Sequence, residues 1–279
     1  IASATSRSIP AVLVMLAASL FLLQACGGGG GGGAAPPPVI PDSPGYYGNT
    51  GTLTLTQPAL NITDLQAMIT STRLIMASKA QGYYYDGPIV VSGNTITGNL
   101  VVQFITPGEN YDTATLTATI NPDRSISGTV THSADNLANP FTLYFATGRT
   151  DSTVAAIATT QANPSWVGTL YTVLNDFLTF SLADNTAGAV AITTITPLTT
   201  INTAFRNCMF TGTLTPIGGT SLYEVSFTAS NACADVSSRG GPYTGLAALR
   251  TQTNPNDTLV IASHYFDTVG YRALFGEFQ

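Results

Sequence analysis

The chain has 279 residues, of which 44% are hydrophobic and only 9% charged, where an ordinary globular domain carries about 25% charged residues. Nine basic against fifteen acidic side chains, with no basic run, leave nothing to neutralise a row of phosphates, which excludes nucleic acid as a partner. The 43 threonines, with 27 glycines and 16 prolines punctuating short apolar stretches, favour strands and turns over helices.

In chain order, residues 1–25 are predicted to form a signal peptide. A polar start with the single cation Arg7 leads into the apolar run Ala11 to Leu23. A run of that length at 1.5 Å per residue reaches about 20 Å, short of a ~30 Å hydrocarbon core, so a permanent transmembrane helix is the poorer reading. The segment Leu23-Gln24-Ala25-Cys26 resembles the lipobox of bacterial lipoproteins, in which a Leu three residues before a Cys and a small residue just before it mark the cut. The resemblance implies that Cys26 becomes the lipidated first residue of the mature protein and joins it to a membrane. Gly27, rather than the Asp that commonly retains lipoproteins in the inner membrane, follows it. By the same resemblance this implies the outer membrane of a Gram-negative bacterium. Residues 26–45 then read as a disordered tether: Gly27 to Gly33 are all glycine, and Pro36-Pro37-Pro38 and Pro41-Asp42-Ser43-Pro44 follow. Polyglycine holds no fold and proline-rich chain is extended.

From Tyr46 onward the chain reads as short strands with a period of two. In Thr113 to Ile120, threonines alternate with apolar residues; Asn121-Pro122-Asp123-Arg124 turns the chain and Ser125 to Thr131 returns it as a hairpin. A brief helix is the reading for 153–160. Several segments recur in order at separations of 112 to 117 residues: Gly51-Thr52-Leu53 with Gly168-Thr169-Leu170, 96–100 with 210–214, Tyr111-Asp112 with Tyr223-Glu224, Gly128 with Gly245, and 142–146 with 258–262. They suggest a duplication, with a first β domain over 46–150, a linker over 151–165 and a second β domain over 166–279. The fold class is all-β: two tandem antiparallel meander barrels or sandwiches, since an open sheet of that size would leave an apolar face and two edges exposed. A lipidated Cys, a glycine tract and two β-rich halves together look like the surface lipoproteins of the transferrin-binding and factor H-binding type, a resemblance of architecture alone.

Cys208 and Cys233 are expected to be bonded, because export places them in an oxidising compartment and the first begins one predicted strand while the second follows the end of the next. A catalytic or metal-binding thiol would need a His or a third ligand nearby in sequence. His132 lies beside Ser133 and Asp135, and His264 beside Ser263 and Asp267. Adjacent strand residues point to opposite faces, which argues against a Ser/His/Asp set and favours surface or turn histidines. The carboxylates are scattered at turns without a calcium-loop pattern. The cluster Tyr83-Tyr84-Tyr85 offers two readings: a contact surface for a protein or sugar, or Tyr83 and Tyr85 on the core with Tyr84 facing water. No catalytic set, metal site or cofactor motif emerges.

These features describe an outer-membrane-anchored lipoprotein with a non-enzymatic binding or structural role at the cell envelope, its partner a protein or glycan. A lipocalin-like carrier of a small apolar ligand is the alternative, with an envelope hydrolase behind it.

Overall fold

The computed structural model describes residues 44–104, 111–146, 165–171, 176–184, 190–196, 207–234, 239–250, 258–266 and 271–279. The expected leader, Cys26, most of the tether and the brief helix at 153–160 lie outside the described residues.

Every element among the described residues is a strand. In the first half these are β1 (Gly45–Leu55), β2 (Leu60–Ile69), β3 (Arg73–Ser78), β4 (Tyr83–Ser92), β5 (Thr95–Phe104), β6 (Tyr111–Ile120), β7 (Ile126–His132) and β8 (Ala138–Leu143). In the second they are β9 (Ser165–Tyr171), β10 (Asp176–Asp184), β11 (Val190–Thr196), β12 (Phe210–Pro216), β13 (Leu222–Ala229), β14 (Gly240–Arg250), β15 (Thr258–Phe266) and β16 (Tyr271–Phe278). Each set forms a closed antiparallel meander in which every strand pairs with its sequence neighbours and the last returns to the first. Closure is what removes the edges that an open sheet would expose.

The β6–β7 hairpin shows how the sequence builds this. Thr117 pairs with Thr129 and Ile120 with Ile126. Pro122 sets the turn, and Arg124 takes a positive φ of 65° as its amide donates to the Asn121 carbonyl. Along β6 the buried residues are Ala114, Leu116, Ala118 and Ile120, with exposed threonines between them. Repeated round the barrel, this alternation fills the first interior with one apolar cluster drawn from all eight strands, including Tyr47, Leu65, Met76, Tyr85, Leu116 and Phe141. In the second barrel, β12 to β16 contribute an inward cluster that includes Phe210, Tyr223, Phe227, Tyr243, Leu259 and Leu274. On β6 and β7, apolar residues inside and hydroxyls outside are the reverse of an outer-membrane β-barrel strand, which carries its apolar residues outward.

The two barrels share strand number and order, but most of the matched segments do not occupy equivalent places. Gly51 and Gly168 both lie on the first strand of their barrel, whereas 96–100 lie on the fifth strand, β5, and 210–214 on the fourth, β12. Tyr111 faces outward and is 53% exposed, while Tyr223 is buried in the second interior. The two tyrosines, on the sixth and the fifth strand of their barrels, therefore differ both in strand and in face, and the expected equivalence does not hold. The 96–100 and 210–214 segments do share their alternation, with Ile96 and Leu100 inward in one barrel as Phe210 and Leu214 are in the other, because a Thr-Gly-x-Leu step suits any strand of such a barrel whichever place that strand holds.

Candidate functional site

The outer face of the first barrel is not uniform. On β2, β3 and β4 it carries Met68, Ile75, Ala77 and Tyr84, which form one buried cluster with Leu222, Leu246, Val260, Ala262 and Phe275 from the outer face of the second barrel. These strands are apolar on both faces, as in Leu74-Ile75-Met76-Ala77 and Leu246-Ala247-Ala248-Leu249. One set of alternate residues fills its own barrel and the other fills the junction.

Two polar clusters flank this contact. In the first, Asp86 on β4 is buried and accepts from Arg73 Nε at 2.9 Å and Nη2 at 2.7 Å, from the Tyr84 hydroxyl at 2.9 Å, and from His264 Nδ1 of the second barrel at 2.5 Å. Arg73 Nη2 also donates to the Thr244 carbonyl across the junction at 3.3 Å. Burial alone would raise the Asp86 carboxyl, but the hydrogen bonds from His264 and Arg73 outweigh it and hold the group below the usual carboxylate range. In the second cluster, Glu277 on β16 accepts from Lys79 Nζ at 3.0 Å and Gln66 Nε2 at 3.1 Å, with Arg250 Nη1 at 3.7 Å. Its desolvation is likewise outweighed by the bonds from Gln66 and Lys79, and its carboxyl is lowered. Tyr46 donates to Gln66 Oε1 at 2.6 Å, and its phenol is pushed up to about 12, chiefly by burial.

The tyrosine cluster is wholly buried, so it is not an exposed contact surface. Tyr83 and Tyr85 point into the first barrel and stack at 6.4 Å. Tyr84 points outward, not to water but into the junction.

Neither histidine is a surface residue of the expected kind. His132 turns into the first barrel, 3.1 Å from the Tyr85 hydroxyl, and burial lowers its imidazole despite Asp135 and Asp112 nearby. Ser133 points outward and donates to Asp112, so His132, Ser133 and Asp135 do not converge. Their alternation on a strand is the reason. Cys208 and Cys233 form a disulfide.

The histidine-to-carboxylate contact at the junction joins residues 178 apart in sequence, and no local motif announces it. The available signal was the run of strands apolar on both faces, which in an antiparallel barrel implies a covered outer surface. Beside the junction lie two grooves. One, of about 290 Å³, is lined by Tyr46, Asn49, Tyr144, Phe145, Ser221 and Arg250 among others. The other, of about 310 Å³, lies between the β2–β3 turn and the outer faces of β12 to β14. A third, of about 250 Å³, opens on the threonine-lined face of β5 to β7. Among the described residues no group of three or more His, Cys, Asp or Glu is arranged to hold a metal ion.

No protein-family model matches the chain, and no curated protein matches it. Among solved structures it is similar to a Bacteroides fragilis protein whose assignment to the outer membrane is itself an inference, with 12% identity, 84% of this chain and 96% of that one covered, and a TM-score of 0.29. It is also similar to a protein of unknown function of the DUF3598 family from Nostoc punctiforme, with 12% identity, 84% and 94% coverage, and a TM-score of 0.25. Likenesses this distant carry no argument about function.

Proposed function

We propose that the chain is a lipid-anchored outer-membrane protein whose double-barrel body acts without catalysis, by presenting its outer surface to an envelope partner. The observation that carries the binding half of this reading is the filled first interior: an apolar cluster contributed by all eight strands gives a small apolar ligand no chamber, so recognition falls to the outside and to the junction. A carrier reading of the first barrel loses its support for the same reason. The anchoring half rests on Leu23 to Cys26 and the glycine tract after it. Several saturated chains on Cys26, each buried CH₂ contributing about 0.8 kcal/mol, would hold the protein stably at a membrane, while the tether lets the body stand off from it.

The test is metabolic labelling with palmitate followed by membrane fractionation. The natural chain should take up label and sediment with outer membranes. Cys26→Ser should lose the label and accumulate uncleaved precursor. Labelling that persists in Cys26→Ser, or an unlabelled natural chain in the soluble fraction, contradicts the reading.

A further inference from the structure

We propose that the groove between the β2–β3 turn and the outer faces of β12 to β14 is a binding site for a neutral saccharide; this rests on the envelope-binding reading and names the ligand class of that surface. The floor of the groove is a cross-strand row. Thr213 pairs with Ser226, Ser226 with Thr244, and Thr244 with His264. Directly opposed residues on antiparallel strands stand about 4.5–5.5 Å apart, so the row presents three hydroxyls in file, leading to the imidazole that bonds Asp86. Thr215 and Glu224, themselves a cross-strand pair, lie alongside. The opposite wall belongs to the first barrel and consists of Thr70, Thr72 and Arg73.

That wall is fixed in place. The Thr70 hydroxyl accepts from the Arg73 and Thr72 amides at 2.9 and 3.2 Å, and Arg73 ties the turn to Asp86 and to the Thr244 carbonyl. The groove therefore has its shape before any ligand arrives, which reduces the ordering cost of binding. At about 310 Å³ it falls at the lower end of small-ligand clefts, about 300–1,000 Å³, which occur preferentially at domain interfaces.

The lining selects the ligand. Each hydroxyl supplies one donor and two acceptor lone pairs, the same set that a sugar hydroxyl presents in return. An apolar ligand would leave these groups unpaired, at about 1–3 kcal/mol for each one buried. An anionic ligand meets the Glu224 carboxylate, and the Arg73 guanidinium already makes a two-point contact with Asp86. A neutral polyhydroxylated molecule satisfies both conditions. The site also needs both barrels, which gives the buried junction a use beyond stability.

The experiment is saturation-transfer NMR and calorimetric titration of the full-length protein in detergent micelles with maltotriose, cellotriose, chitotriose and mannotriose. At least one should bind, and Thr213→Val and Ser226→Ala should each weaken that binding tenfold or more. Thr117→Val, on the outer face of the first barrel and outside the groove, should leave it unchanged. The proposal is overturned if none of the four binds at millimolar concentration, if Thr213→Val and Ser226→Ala bind as the natural chain does, or if Thr117→Val weakens binding equally. Palmitate labelling of the same preparation reads the anchor separately, so failure of the saccharide site and failure of the envelope reading are distinguishable.

Discussion

The contact of His264 with Asp86 links the two barrels at 2.5 Å and yields the sharpest energetic prediction. Among the described residues Asp86 accepts four hydrogen bonds, and the one from His264 crosses the junction. Asp86→Asn keeps the shape but removes the charge that compensates Arg73. Removing one partner of a buried ion pair costs about 3–5 kcal/mol, because the other charge is left uncompensated. Because the Arg73 side chain is 25% exposed, water screens part of that loss and the lower end of the range is expected. His264→Ala deletes one hydrogen bond to a charged acceptor, worth about 1.5–3 kcal/mol. The imidazole is also 25% exposed, which again points to the low end. The two changes share one interaction, so the double variant should be more stable than the sum of the singles predicts, by a coupling of about 1–2 kcal/mol. The assay is urea unfolding of all four proteins at constant pH and salt, followed by tyrosine fluorescence and circular dichroism. Both barrels should unfold in one transition, since the junction buries a cluster drawn from each. Additivity within about 0.5 kcal/mol, or two separated transitions in the natural chain, would refute the reasoning.

Other consequences follow from single residues. Burial lowers the imidazole of His132, so the native state binds fewer protons than the unfolded chain as pH falls below about 6.5; its contribution is present above that pH and is lost on acidification. The urea midpoint should drop between pH 7 and pH 5, and His132→Gln should flatten that slope. A β-carbon at Gly128 would meet the Thr117 carbonyl oxygen at 2.3 Å and Ala118 Cα at 2.6 Å, so Gly128→Ala should destabilise by about 1–3 kcal/mol through forced backbone shifts, read as a lower urea midpoint. The Cys208 to Cys233 bond closes a loop of 25 residues, worth about 3 kcal/mol by loop entropy. Cys208→Ala with Cys233→Ala should lower unfolding stability by that order, while the same pair of changes measured under reducing conditions should show almost no difference from the natural chain.

The meander was legible in the sequence because strand alternation and turn chemistry are local. Thr113 to Ile120, the turn at Pro122 and the return to Thr131 are all present as β6 and β7, and the cysteines meet as their positions at strand ends suggested. The junction was not legible, because it is made by side chains whose partners lie far along the chain. Asp86 looks like a turn carboxylate beside Gly87 until His264 is brought against it. Tyr84 looks like the solvent-facing member of an alternating triplet until Phe275 and Val260 cover that face. The continuous apolar runs of β3, β14 and β15 carried the missing information, since a strand buried on both faces has no reason to alternate. The strand-by-strand match between the halves failed for a related cause: the 96–100 and 210–214 segments match in composition and alternation, but neither records which strand of a barrel a segment becomes.

The central claim, that this body works from a lipid anchor at the cell envelope, is tested most directly by the intact mass of the protein recovered from membranes. The account predicts a mature chain that begins at Cys26 and carries the added mass of a diacylglyceryl group with a further acyl chain. A mature chain that begins elsewhere, or begins at Cys26 with no added mass, would contradict it.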